Sequence, residues 1–142
     1  MKRKLFYLLL MLVVSISVNA QQSQPKFDPA KFEADLQQYI ITEAGLCQSE
    51  TQQFLPVYKE MRGKQKNLHD QMRSYRKTDL KNEKACEEAI RQQDRIDMEM
   101  KELQQAYHQK FMKILPASKV LKVIKAEERF HRQAFKRAAK RK

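Results

Sequence analysis

Three pairs of side chains have the spacing that places two metal ligands on one face of a helix. They are His69 and Met72, His108 and Met112, and Glu127 and His131. Imidazole, thioether and carboxylate groups at this spacing can bind zinc or copper. No pair comes with a third or fourth ligand at a repeated spacing. We therefore predict no metal site and no cofactor, and we keep a metal-responsive sensor as an alternative function.

The two cysteines are a second candidate for chemistry. Cys47 and Cys86 are expected at opposite ends of a helical hairpin, whereas an intrachain disulfide needs Cα atoms within about 7 Å. Two readings stay open, namely two free buried thiols or an interchain bond in an antiparallel dimer.

Catalysis has little support in the sequence. No nucleophile motif is present, and with two glycines in 142 residues there is no Gly-rich phosphate loop. The carboxylates lie three or four residues from Lys or Arg, as Asp97 does from Lys101, which is typical of solvated helix faces with weak ion pairs. We predict that the protein is not an enzyme.

Cations and aromatic side chains are concentrated at the carboxyl end. Residues 119–142 carry 10 basic and 2 acidic side chains, whereas residues 21–118 are almost neutral. The predicted basic surface consists of Arg129, Arg132, Lys136, Arg137, Lys140 and Arg141. In the cytoplasm such a tail would bind nucleic acid, and outside the cytoplasm it would bind anionic lipid or acidic protein segments. Alternatively, its cations only stabilise the negative end of the helix dipole.

Whether the protein is exported determines which of these partners its basic tail can meet. Residues 2–4 are basic, residues 5–14 are apolar, and Val18 and Ala20 place small side chains before Gln21. This pattern is typical of a secretory signal peptide, and the apolar run is short for a membrane span of about 20 residues. We predict cleavage before Gln21, a periplasmic protein, no nucleic-acid partner and at most peripheral contact with a membrane.

Four helices must position these groups. Helix signals cover 28–43, a second segment that starts at 47–49 and reaches Tyr75, a third of about 30 residues from Asn82, and a fourth over 117–138. A capping box at 49–52 starts the second helix, and Pro56 is expected to kink it or shift its start. Apolar residues in the two long helices recur in steps of three and four.

In each long helix these apolar residues form a stripe, or seam, and the two seams have the same period. We therefore predict that the two helices pack as an antiparallel hairpin. The fold class is all-α, with a long helical hairpin and two flanking helices. A two-helix seam leaves one flank of each helix open, and either the two flanking helices or a second chain must cover it. We also expect an elongated antiparallel dimer with exposed apolar surface. The predicted organisation is a signal peptide at 1–20, a disordered lead at 21–27, one helical domain at 28–138 and a basic tail at 139–142.

Two segments resemble the Spy/CpxP-like periplasmic proteins, in their Bacteroidetes form. Residues 46–58 (LCQSETQQFLPVY) are similar to the first conserved segment of that family, and 114–119 (ILPASK), followed by 127–130 (EERF), are similar to its Leu-Thr-x-x-Gln segment. Cys47 stands at the Thr position, Leu55 at the Trp position and Lys119 at the Gln position. With Cys47 a poor cap, capping is expected to move toward Ser49.

The resemblance implies four helices per chain, a cradle-shaped antiparallel dimer and an ATP-independent chaperone or envelope-stress protein. Unfolded or partly folded envelope proteins would be its clients. The predicted client-binding side chains are Phe54, Tyr58, Met61, Leu115, Phe130 and Phe135. The alternative to a chaperone is a regulatory partner of an envelope sensor or an anti-sigma factor.

Overall fold

The computed structural model describes residues 26–140, so the predicted signal peptide and most of the predicted lead lie outside the described residues. Four α-helices make up this part: α1 (Pro29–Ala44), α2 (Gln48–Ser74), α3 (Glu83–Met112) and α4 (Ala117–Ala139). A short 3₁₀ helix (Tyr75–Lys77) follows α2. No strand occurs among these residues, and the all-α prediction is confirmed.

The helix ends follow their local sequence. The Asp28 carboxylate accepts hydrogen bonds from the backbone N–H groups of Ala30 and Lys31 at 3.0 and 3.2 Å and thereby caps α1. Gly45 ends α1 with a φ of 63°, a left-handed conformation that glycine adopts at little cost. Asn82 caps α3 through its side chain. The ends of α1 and the start of α3 thus lie within one residue of the helix range 28–43 and of the start at Asn82 that the sequence predicts.

The start of α2 lies within its predicted range, but its capping residue differs from the prediction. Cys47, and not Ser49, is the N-cap, and the Glu50 carboxylate accepts the Cys47 backbone N–H at 2.9 Å. Glu50 also accepts a hydrogen bond from Lys119 at 2.6 Å. The cap therefore lies two residues before Ser49, with a local contact from Glu50 to Cys47, and Lys119 of α4 adds a cation to the same carboxylate. Pro56 lies inside the continuous α2 and does not shift its start.

The helices pack as two pairs. α2 and α3 form the predicted antiparallel hairpin, and α1 lies along α4. Both pairs contribute to one core at the end of the hairpin that lies away from its loop. The buried residues of this core are Leu36, Ile40, Ala44, Phe54, Tyr58, Met61, Tyr107, Phe111, Leu115, Val120, Val123, Ala126 and Phe130.

The other half of the hairpin is thinner. Near the loop, α2 and α3 pack only against each other within the described residues. The seam residues Leu68, Met72 and Tyr75 are half-buried there. Ala89 and Ile96 are buried there but do not belong to the four-helix core.

None of the helices within residues 26–140 has both the length and the apolar composition of a membrane span.

The bond between Glu50 and Lys119 should make stability depend on pH. The Lys119 side chain, followed by the Cys47 backbone N–H, lowers the pKa of Glu50 from its ordinary value of 4.5. A folded-state pKa below the unfolded one contributes stability above the unfolded value and loses it as pH falls through the folded value. We expect Glu50→Gln to lower the Tm at pH 7 and to have little effect near pH 3.

Thermal unfolding followed by circular dichroism across this range measures the effect. Glu128→Gln is the matched control, because Glu128 is exposed and forms no ion pair within the described residues. An equal Tm loss at both pH values would contradict a contribution from the ionised Glu50.

Candidate functional site

A groove runs between the beginning of α1 and the middle of α2. Its volume is about 570 Å³. The residues that line this α1–α2 groove are Phe27, Pro29, Phe32, Glu33 and Gln37 on one side and Lys59, Arg62, Gly63, Gln65, Lys66, His69, Asp70 and Arg73 on the other. The groove lies where the four-helix core ends and the thinner half of the hairpin begins.

One wall of the groove is aromatic. Phe27 is 68% exposed, and its ring centroid lies 5.6 Å from that of Phe32. Phe32 is itself held in place by Phe130 of α4, at a centroid distance of 5.3 Å. Across the groove, Gly63 has open space where a Cβ atom would stand. An apolar side chain from a partner can therefore contact aromatic rings here without displacing a core residue.

The opposite wall is cationic. Lys66 pairs with Asp70 at 2.5 Å, and Arg73 lies 4.0 Å from the same carboxylate. Lys59 is exposed and forms no ion pair within the described residues. Four Lys and Arg side chains face two carboxylates in the groove lining. The groove thus combines an apolar wall with an excess of positive charge.

A cluster of polar side chains forms the floor of the groove. Arg62 donates two hydrogen bonds to Glu33 of α1, at 3.1 and 2.5 Å. It also donates to Gln65 at 3.1 Å and to Glu127 of α4 at 3.3 Å. His131 lies 3.8 Å from Glu127. This Arg62 cluster connects α1, α2 and α4 directly beneath the groove.

Burial and charge set the protonation of the cluster. Burial alone would lower the pKa of Arg62, but the hydrogen bond and negative charge of Glu33, together with Glu127, raise it above its ordinary value. Burial, and next the charge of Glu127, raise the pKa of Tyr58, so its phenol stays protonated. The Tyr58 hydroxyl is buried and has no hydrogen-bond partner among the described residues.

The structure separates the six predicted client-binding residues into two groups. Phe54, Tyr58, Met61, Leu115 and Phe130 are at most 8% exposed and belong to the core. These five residues therefore offer no exposed contact surface, because α1 and α4 cover this flank of the hairpin. Phe135 is 77% exposed and remains available to a partner.

The predicted basic surface lies along α4. Arg132, Lys136, Arg137 and Lys140 are exposed, and Arg141 lies outside the described residues. Arg129 is also exposed but is paired with Glu43 of α1 at 2.6 Å. Its pKa is raised, first by a hydrogen bond with Tyr39 and then by the charges of Tyr39 and Glu43. Arg129 therefore also joins α4 to α1.

The candidate metal ligands and the cysteines are dispersed. Within residues 26–140, no three His, Cys, Asp or Glu side chains come together as ligands for a metal ion. Within the described residues Cys47 and Cys86 form no disulfide with each other. Cys86 is half-buried and Cys47 is exposed at the start of α2, so the alternative of two buried thiols does not hold for Cys47, and an interchain bond stays a prediction.

Sequence reasoning missed the groove and its floor. Arg62 and Glu33 are 29 residues apart, and Arg62 and Glu127 are 65 apart. The one local signal was the polar Gln65 at a seam position, three residues after Arg62. A polar residue within an apolar seam indicates that a buried polar partner lies nearby.

Removal of Arg62 should destabilise the fold. Its side chain is 19% exposed, so Arg62→Met leaves two carboxylates beside a largely dry site without a cation. We expect a loss of about 2 kcal/mol in the free energy of unfolding, between the values for exposed and fully buried pairs. Urea unfolding measures it.

Arg91→Met is the control, because Arg91 pairs with Glu87 at 2.7 Å on an exposed face of α3. It should cost less than about 0.5 kcal/mol. Equal losses for the two variants would show that the Arg62 cluster does not join the helices.

Comparison with protein-family models, with curated proteins and with solved structures finds no match for this chain.

Proposed function

We propose that the protein is a periplasmic, ATP-independent chaperone that holds exposed segments of unfolded envelope proteins in the α1–α2 groove. The single observation that carries this proposal is the groove itself, in which the exposed Phe27 and the half-buried Phe32 lie opposite Lys59 and Lys66. Unfolded chains expose apolar side chains, and neighbouring acidic residues are attracted to cations over longer distances. Holding such a segment needs no nucleotide.

The sequence supports the same proposal in two independent ways. The signal-peptide pattern before Gln21 favours a periplasmic location, where no ATP is available to a folding cycle. The resemblance of 46–58 and 114–119 to the Spy/CpxP-like proteins implies a holding chaperone or an envelope-stress protein. Both expectations belong to the proposal.

The proposal includes a homodimer. Three exposed apolar side chains of α3, Ile90, Met98 and Met112, lie outside the seam with α2. A second copy of this helix would cover them. We expect small-angle scattering of the chain from Gln21 onward to give an elongated dimer, and a compact monomer at all concentrations would contradict this part of the proposal.

Suppression of aggregation tests the chaperone activity. The chain from Gln21 onward should suppress aggregation of a chemically denatured client at a stoichiometric ratio. The double variant Phe27→Ser/Lys59→Gln removes one apolar and one cationic contact of the groove. It should raise the concentration for half-suppression about fivefold, equal to a loss of roughly 1 kcal/mol.

A matched control is available at the loop of the hairpin. Leu80 is 83% exposed and Lys77 is exposed, so Lys77→Gln/Leu80→Ser removes the same kinds of group far from the groove. It should leave suppression unchanged. No suppression by the unaltered chain would refute the chaperone function, and equal losses in both variants would refute the groove as its site.

A further inference from the structure

A line of six cations follows the outer face of α4. The residues are Lys122, Lys125, Arg129, Arg132, Lys136 and Lys140, and all six are exposed. They are spaced by three or four residues, which keeps them on one face of a helix. At 1.5 Å per residue this basic ridge is about 27 Å long. The opposite face of α4, which includes Val123 and Ala126, is buried in the core.

The charge of the ridge is mostly uncompensated. Arg129 pairs with Glu43, and no other cation of the ridge forms an ion pair within the described residues. Glu127 points inward to Arg62, which leaves Glu128 as the one exposed carboxylate on α4. No acidic residue follows Glu128 in the sequence.

Helix stability does not explain the ridge. Cations are favourable in the last turn of a helix, where they complement the negative end of the dipole. Lys136 and Lys140 satisfy that condition. Lys122 and Lys125 lie in the first half of α4, where a positive charge gains nothing from the dipole. A line of like charges along a whole helix also repels itself, so it indicates a partner with many negative charges.

Apolar side chains flank the ridge on one side. Leu121 is 51% exposed and Phe135 is 77% exposed, and they are separated by two heptads, which places them on the same flank of α4. A convex helix face with cations along its length and apolar side chains at its edge has the character of an interfacial helix. Its shape suits a flat surface, since its inner face is occupied by the core.

We propose that the basic ridge binds the anionic headgroups of a phospholipid bilayer, with Phe135 and Leu121 inserted at the boundary between headgroups and acyl chains. This binding site is separate from the α1–α2 groove and does not depend on the chaperone activity. It would hold the protein at the membrane surface while the groove, on other helices, stays open to solvent.

Co-sedimentation with lipid vesicles tests this inference. The chain from Gln21 onward is suitable, because it retains every described residue and omits the apolar run 5–14, which would bind lipid by itself. We expect binding to vesicles of phosphatidylcholine with phosphatidylglycerol, weak binding to phosphatidylcholine alone, and a loss of binding as salt is added. Equal binding to both kinds of vesicle would overturn the proposal.

Charge-neutralised variants locate the site. Lys122→Gln/Lys125→Gln/Arg132→Gln/Lys136→Gln should lower the partition coefficient on anionic vesicles at least about 30-fold. The control Arg76→Gln/Lys77→Gln/Lys81→Gln/Lys84→Gln removes the same charge from exposed positions near the hairpin loop. It should lower partitioning less than about threefold, since only the total charge changes. Equal losses would show that total charge, and not the ridge, drives binding.

Two further measurements separate lipid from other anions. Phe135→Ser keeps every charge and should weaken binding to anionic vesicles several-fold, while binding to soluble polyglutamate stays unchanged. If the true partner is an acidic protein, the four-cation ridge variant should lose polyglutamate binding but retain binding to anionic vesicles. That result would show that the membrane proposal is wrong.

Discussion

The positive charge of Arg62 is the constraint on which this fold depends. A guanidinium that is mostly removed from water must be paired and hydrogen-bonded, because an uncompensated buried charge costs several kcal/mol. No single helix supplies its partners. Glu33 comes from α1, Gln65 from the next turn of α2 and Glu127 from α4. Because the hydrogen-bond and ion-pair partners of Arg62 come from three helices, pairing this one side chain determines how the α1–α4 pair packs against the hairpin.

The Arg62 cluster also shapes the groove that we propose as the binding site. Because it joins α1 to α2, it forms the floor of the α1–α2 groove and holds Phe32 and Lys66 on opposite walls. The same arrangement leaves the other half of the hairpin with two helices and a half-buried seam. One end of the molecule is thus a packed core with a preformed groove, and the other is a thin two-helix extension. A preformed groove binds without an ordering cost of its own walls.

Local sequence predicts most of this architecture and little of the site. Caps at Asp28 and Asn82, the stop at Gly45 and the seams of α2 and α3 depend on neighbours within one or two turns, so they can be recognised without a structure. The N-cap of α2 is Cys47 and not Ser49, because the Glu50 carboxylate accepts the Cys47 backbone N–H three residues away. Its second partner, Lys119, is 69 residues away and cannot be recognised from local sequence. The sequence predicts a client-binding role for Phe54 and Tyr58, because the spacing of apolar residues within one helix does not show which other helices cover them.

We propose that the α1–α2 groove, and no other surface, holds the client. The protein has two glycines, and glycine amides give resolved signals in a ¹H–¹⁵N spectrum. Gly63 lines the groove, whereas Gly45 lies in the turn between α1 and α2, and the stretch of α2 from Gln48 to Gly63 is about 22 Å long by its helical rise. Titration with a peptide that carries aromatic and acidic residues should shift the Gly63 signal and leave Gly45 in place. Saturable binding that shifts Gly45 and leaves Gly63 unchanged would contradict the claim.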